Sequence, residues 1–204
     1  MSHEVLLALA IFCIVATITP GPNNMMLLSS GATFGFRRTL PHIFGISAGC
    51  FVMRILLGLG LAGFIDRLPW LFPLLEVVTA VYLCWLAWGI ATSVGVGAVS
   101  PRAKPLSFLN AAAFQWVNPK AWAISLGAMT GFSRPDHFLS DMMVSAVMLV
   151  ICGIPCIMLW AGGGTIVRHL LTRPAMLRTF NIGMAVLLVV SLIPGLADVA
   201  SAYS

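Results

Sequence analysis

A chain of 204 residues that is 60% hydrophobic and only 8% charged, with a mean hydropathy of +1.02, has too few polar side chains to cover a soluble domain. Its net charge of +5 is spread over short stretches between apolar runs, which argues against a nucleic-acid-binding face and gives the basic residues a topological role. Spanning a bilayer takes about 20 mainly apolar residues, and six such runs, at about 4–34, 41–64, 70–93, 106–132, 138–161 and 179–197, use nearly the whole chain, so no soluble catalytic domain fits.

The first run lacks the basic start of a signal peptide, carrying His3 and Glu4 instead, and it continues past an interruption into Met25-Met26-Leu27-Leu28. It is read as retained. The interruption, Thr19-Pro20-Gly21-Pro22-Asn23-Asn24, must break the helix, because proline lacks an N–H and clashes with the preceding turn. Carbonyls near Ala16 and Ile18 then become acceptors for a cation, and the restarting helix offers free N–H groups and a positive dipole end to an anion. Asn23 is the expected N-cap. Lipid tolerates such irregular backbone only where protein or a wet cavity surrounds it.

The second and third runs carry one charge each, Arg54 and Glu76. Arg54 lies twelve residues before Asp66 and Glu76 ten after it, so antiparallel helices bring them level to about 3 Å at 1.5 Å per residue. A structural ion pair is expected; proton uptake by Glu76 during a coupled cycle stays open beside it. The stretch 95–105 is a linker.

The fourth run repeats the first interruption as Gln115-Trp116-Val117-Asn118-Pro119-Lys120, with Asn118 as N-cap, Pro119 at the first helical position and Lys120 adding a full positive charge. A lysine at mid-membrane is functional by default. An offset of 96 residues superposes Gly31 to Arg38 on Gly127 to Arg134 with five of eight positions identical, and brings the two breaks together. Three helices per copy makes the second copy inverted: an all-α fold of six transmembrane helices as a 3+3 inverted repeat, copy one about 1–95 and copy two about 106–204, in a single domain. Such folds place a site between the broken helices. The expected binding set is Thr19, Pro20, Gly21, Pro22, Asn23, Asn24, Gln115, Asn118, Pro119 and Lys120. A small zwitterion suits it, with its carboxylate on the restart N–H groups or Lys120, and its ammonium on carbonyls near Ala16 to Thr19, helped by Thr19 or Gln115.

The fifth run holds Cys152 and Cys156, four apart on one helical face. The five cysteines all lie in apolar runs and are read as small hydrophobes; a membrane thiol–disulfide electron carrier is the alternative, and a non-transporting receptor a further one. Gly162-Gly163-Gly164 reads as a flexible exit from this helix. His3, His42, His137 and His169 read as surface histidines at helix ends or loops, without metal-ligand spacing. Neither metal nor cofactor is expected. Loops one, three and five hold Arg37, Arg38, Arg102, Lys104, Arg168, Arg173 and Arg178 against Arg67 and Arg134 opposite, which makes those loops cytoplasmic and both termini external.

Thr19-Pro20-Gly21-Pro22-Asn23, Gly35-Phe36-Arg37-Arg38 and Asn118-Pro119-Lys120-Ala121, with Gly45, Gly49 and Tyr82-Leu83-Cys84-Trp85-Leu86, resemble the LysE/RhtB family of bacterial inner-membrane amino-acid exporters over essentially the whole chain. The likeness is to the branch exporting cysteine, O-acetylserine or other small neutral amino acids. It implies proton-driven efflux of amino acids or close derivatives, no enzymatic activity, lipid surroundings and association into homodimers. Arg54 and Glu76 depart from the apolar or small residues of the family pattern, which leaves the substrate open.

Overall fold

The computed structural model describes residues 1–61, 104–170 and 174–190, together with helical positions 74, 77, 78, 80, 81, 84, 85, 87, 88 and 91. Glu76 and most of the linker 95–105 lie outside the described residues.

The described residues are all-helical, with no strand among them. In chain order the helices are α1 (His3–Ile18), α2 (Pro22–Phe34), α3 (Phe36–Leu56, continued by a wider turn over Leu57–Leu61), α4 (Phe108–Phe114), α5 (Pro119–Phe132), α6 (Phe138–Leu170) and α7 (Pro174–Val190). Among the described residues two helical stretches, Phe36–Gly60 and Phe138–Val167, are long and apolar enough to cross a membrane, and α1 with α2 forms a third candidate bent by 57°.

Polarity runs from the inside outward. Thr39, His42, Arg54, Gln115, Asn118, Asp141 and Ser145 are buried, whereas Leu7, Ile11, Val15, Ile151, Leu159 and Ile166 are more than half exposed. A chain that puts its aliphatic side chains outside and its polar ones inside is built for lipid.

Small residues set the helix packing. α2 and α6 touch backbone to backbone: a Cβ on Gly31 would fall on the Ala161 carbonyl, and one on Gly164 on the Leu28 carbonyl. Gly45 and Gly49 of α3 lie in the same way against the Phe108 and Ala112 carbonyls of α4. Such small-residue seams replace the hydrophobic drive that lipid does not supply. Gly35, at φ 84°, makes the sharp turn from α2 into α3, a conformation other residues rarely take.

Two expectations are corrected here. Gly162-Gly163-Gly164 is not an exit from the helix, since α6 runs through it to Leu170; contact of Gly164 with α2 outweighs the propensity cost of glycine. His42 is not a surface residue. α3 starts at Phe36, so His42 falls on the stripe Thr39, His42, Ile43, Ile46 that faces the bundle, only 1% exposed, and neither ring nitrogen has a partner among the described residues.

Candidate functional site

The backbone rules of proline decide where α1 stops. Thr19 precedes Pro20 and is pushed to an extended conformation, φ −61° and ψ 140°, and Gly21 is fully extended before Pro22 restarts the chain as the first residue of α2. The carbonyls freed at the end of α1 all find donors from this chain. Ala16 O accepts from Thr19 Oγ1 at 3.0 Å, Thr17 O from Asn24 Nδ2 at 2.8 Å, and Ile18 O from the Trp160 indole at 3.1 Å. The carbonyls that take a cation lie one step further on. Lys120 Nζ donates to Thr19 O at 2.7 Å, Thr19 Oγ1 at 3.0 Å and Pro20 O at 3.2 Å, which uses all three of its protons. Asn24 Nδ2 pins the Thr19 carbonyl from its other side at 2.7 Å. The ammonium therefore closes the negative end of α1.

At the second break, Asn118 caps α5 as expected, its Oδ1 accepting from Lys120 N at 3.2 Å with Pro119 at the first helical position. Ala121 N and Trp122 N bond the Asn118 carbonyl. α5 thus keeps no amide for an anion at its start, and Lys120 carries the positive charge there. Asn23 is likewise not an N-cap: Gly21 occupies that position, without a side-chain cap. Since Pro22 takes the first turn, the Asn23 amide projects across and pairs reciprocally with Gln115, Nδ2 to Oε1 at 2.8 Å and Nε2 to Oδ1 at 3.2 Å. Gln115 also donates to Ala111 O at 2.9 Å. The α2 amides of Asn23 and Asn24 precede the first intrahelical bond, from Met25 N to Gly21 O, and stay unclaimed by the helix.

A small cavity, about 60 Å³ in volume, lies between the two breaks. Gly21, Asn23, Asn24, Asn118 and Lys120 of the predicted set line it. Thr19, Pro20 and Gln115 stand behind, holding Lys120 and Asn23; Pro22 and Pro119 shape the turns without facing the space. Ala16 and Thr17 of α1, from the stretch expected to hold the ammonium, also line it, and the rest of the wall was not foreseen: Ile46, Ser47 and Cys50 of α3, Ala121 and Ile124 of α5, and Leu149, Val150, Gly153 and Ile157 of α6. Polar groups of fixed position on one side and an apolar wall on the other suit a small molecule with a charged head and an uncharged side chain.

Arg54 is fully buried and donates from Nη1 to Ser145 O and Oγ, both at 2.8 Å, and from Nη2 to Ile124 O at 3.3 Å. The partner expected for it, Glu76, lies outside the described residues. No group of three or more metal-ligating side chains occurs among the described residues.

Residues 14–191 match the family model of the LysE type translocator. The chain is 34% identical over 193 residues, 93% of its length and 96% of theirs, to the cysteine/O-acetylserine efflux proteins of Escherichia coli strain K12, Escherichia coli O9:H4 and Shigella sonnei. No solved structure matches it.

Proposed function

Because the chain belongs to the LysE type translocator family, and so is a transporter and not an enzyme, we propose that it is a secondary-active exporter of amino acids or close derivatives, small neutral ones favoured, across the bacterial inner membrane. The named relatives move cysteine and O-acetylserine, and the cavity suits heads and side chains of that kind. The carrying observation is the pair of contacts that join the two breaks across the cavity, Lys120 to Thr19 and Pro20, and Asn23 to Gln115. The carbonyls of Thr19 and Pro20 receive the substrate ammonium; Lys120 and the Asn23 and Asn24 amides receive its carboxylate.

Alternating access by an inverted 3+3 repeat, driven by proton antiport, is part of this reading. The 96-residue offset relates Thr19 to Gln115 and Asn24 to Lys120, so the two cross-break contacts stand in near-equivalent places. It also relates the packing of α3 on α4 to that of α6 on α1. Both relations support two copies exchanging conformations. Loops one, three and five are assigned to the cytoplasm and the termini to the outside; the Met1 ammonium, 3.9 Å from Asp141 Oδ1, supports one common face for the start of α1 and the α5–α6 connection. A homodimer is the assembly proposed.

Lys120→Ala and Asn118→Ala test the site. Each is expected to cut export at least tenfold at normal membrane abundance; full transport by both overturns the assignment.

A further inference from the structure

Lys120 is itself a primary alkylammonium, chemically the same head that an amino acid presents. It sits on the Thr19 and Pro20 carbonyls just past the end of α1, the first of them also held by Asn24, with three hydrogen bonds of 2.7 to 3.2 Å, and it also lines the cavity. Room for it is built in: a Cβ on Gly21 would meet Lys120 Cδ at 2.8 Å and Nζ at 3.0 Å, although Gly21 at φ −178° has a backbone that any residue adopts.

We propose that these carbonyls form an ammonium site which Lys120 occupies as a tethered stand-in while no substrate is bound, and that an amino acid binds by inserting between the two. Its α-ammonium takes the oxygens of Thr19 and Pro20, and its carboxylate takes the displaced Lys120. This rests on the exporter reading and adds to it. A zwitterion replaces one ion contact by two. A simple amine would free Lys120 without pairing it, and a simple carboxylate would find Lys120 already held, so the unmodified site rejects both. With Lys120 seated, its own charge is met by carbonyl and hydroxyl oxygens at a depth where an unmet one costs several kcal/mol.

Methylammonium is the probe. Thermal unfolding of the purified protein is followed in detergent, with methylammonium chloride against choline chloride at equal ionic strength. Lys120→Met leaves the site vacant, and methylammonium at ten times its Kd should raise Tm by roughly 3–6 °C, with no shift in the wild type. Gly21→Ala keeps the lysine but pushes its flexible end off the carbonyls, and should gain the same response, which keeps the test valid if Lys120→Met fails to fold. A methylammonium shift in the wild type as large as in the variants, or none in any folded variant, overturns the proposed stand-in. Efflux of O-acetyl-L-serine from cells is measured alongside. Methylammonium gain without any wild-type efflux of amino acids overturns the exporter reading alone; efflux without the gain overturns the stand-in alone.

Discussion

Gly164→Ala and Gly162→Ala change neighbouring positions of one glycine triplet by the same single methyl group, yet opposite effects are expected. A Cβ at 164 would fall on the Leu28 carbonyl and lie 2.9 Å from Ala32 N, so α2 and α6 must separate along their whole seam; at 162 nothing lies within 4 Å. Overpacking of this kind costs about 1–3 kcal/mol. Replacing an uncrowded helical glycine by alanine instead gains up to about 1 kcal/mol. At roughly 2–4 °C per kcal/mol for a chain of this size, Gly164→Ala should lose roughly 2–12 °C in Tm and Gly162→Ala should gain up to about 4 °C. Gly31→Ala, aimed at the Ala161 carbonyl, should behave like Gly164→Ala. Purified protein in one detergent, followed by the intrinsic tryptophan signal, suffices. Equal Tm values for the 162 and 164 variants would refute the close α2–α6 seam.

Other consequences can be read with the same assays. Gln115→Ala removes both bonds to Asn23 and leaves a buried amide network incomplete, so a loss of about 1–3 kcal/mol, seen as a fall in Tm, should accompany impaired export; an unchanged Tm would show that the amide pair does not hold the breaks. A thermal double-mutant cycle of Arg54→Met and Glu76→Gln addresses the proposed ion pair: coupling above about 1 kcal/mol is expected, whereas additivity within about 0.5 kcal/mol would mean that Arg54 rests on Ser145 and Ile124 without it. Asp141→Asn should lower Tm, because that carboxylate accepts Arg134 Nε at 2.8 Å and Nη2 at 2.9 Å; no change would contradict the tie at the α5–α6 turn. Cys152→Ala with Cys156→Ala should leave efflux intact, since both thiols are free; its loss would revive a thiol-based role.

The breaks were legible because proline and glycine act locally. Pro20, Pro22 and Pro119 end or start helices by their own stereochemistry, and Asn118 in front of Pro119 is a cap wherever the helix lies. What local rules could not supply was the partner. Lys120 and Thr19 lie 101 residues apart, and the sequence showed a cation and a set of carbonyls as two halves of a binding site, not that one sits on the other. The same limit explains Asn23, whose amide is drawn to Gln115, and His42, whose burial depends on which side of α3 meets the bundle. Ser47, Cys50 and Gly153 give no chemical signal of a cavity wall; they become one through helix rotation, which the small-residue seams at Gly31, Gly45, Gly49 and Gly164 determine.

The most direct test is efflux of preloaded, labelled amino acids, O-acetyl-L-serine and L-cysteine among them, from cells lacking their own exporters, with and without this protein and with and without an uncoupler. Selective loss of small neutral amino acids that the uncoupler abolishes is the predicted result. Retention of every compound by cells whose membranes contain the protein would contradict the exporter reading.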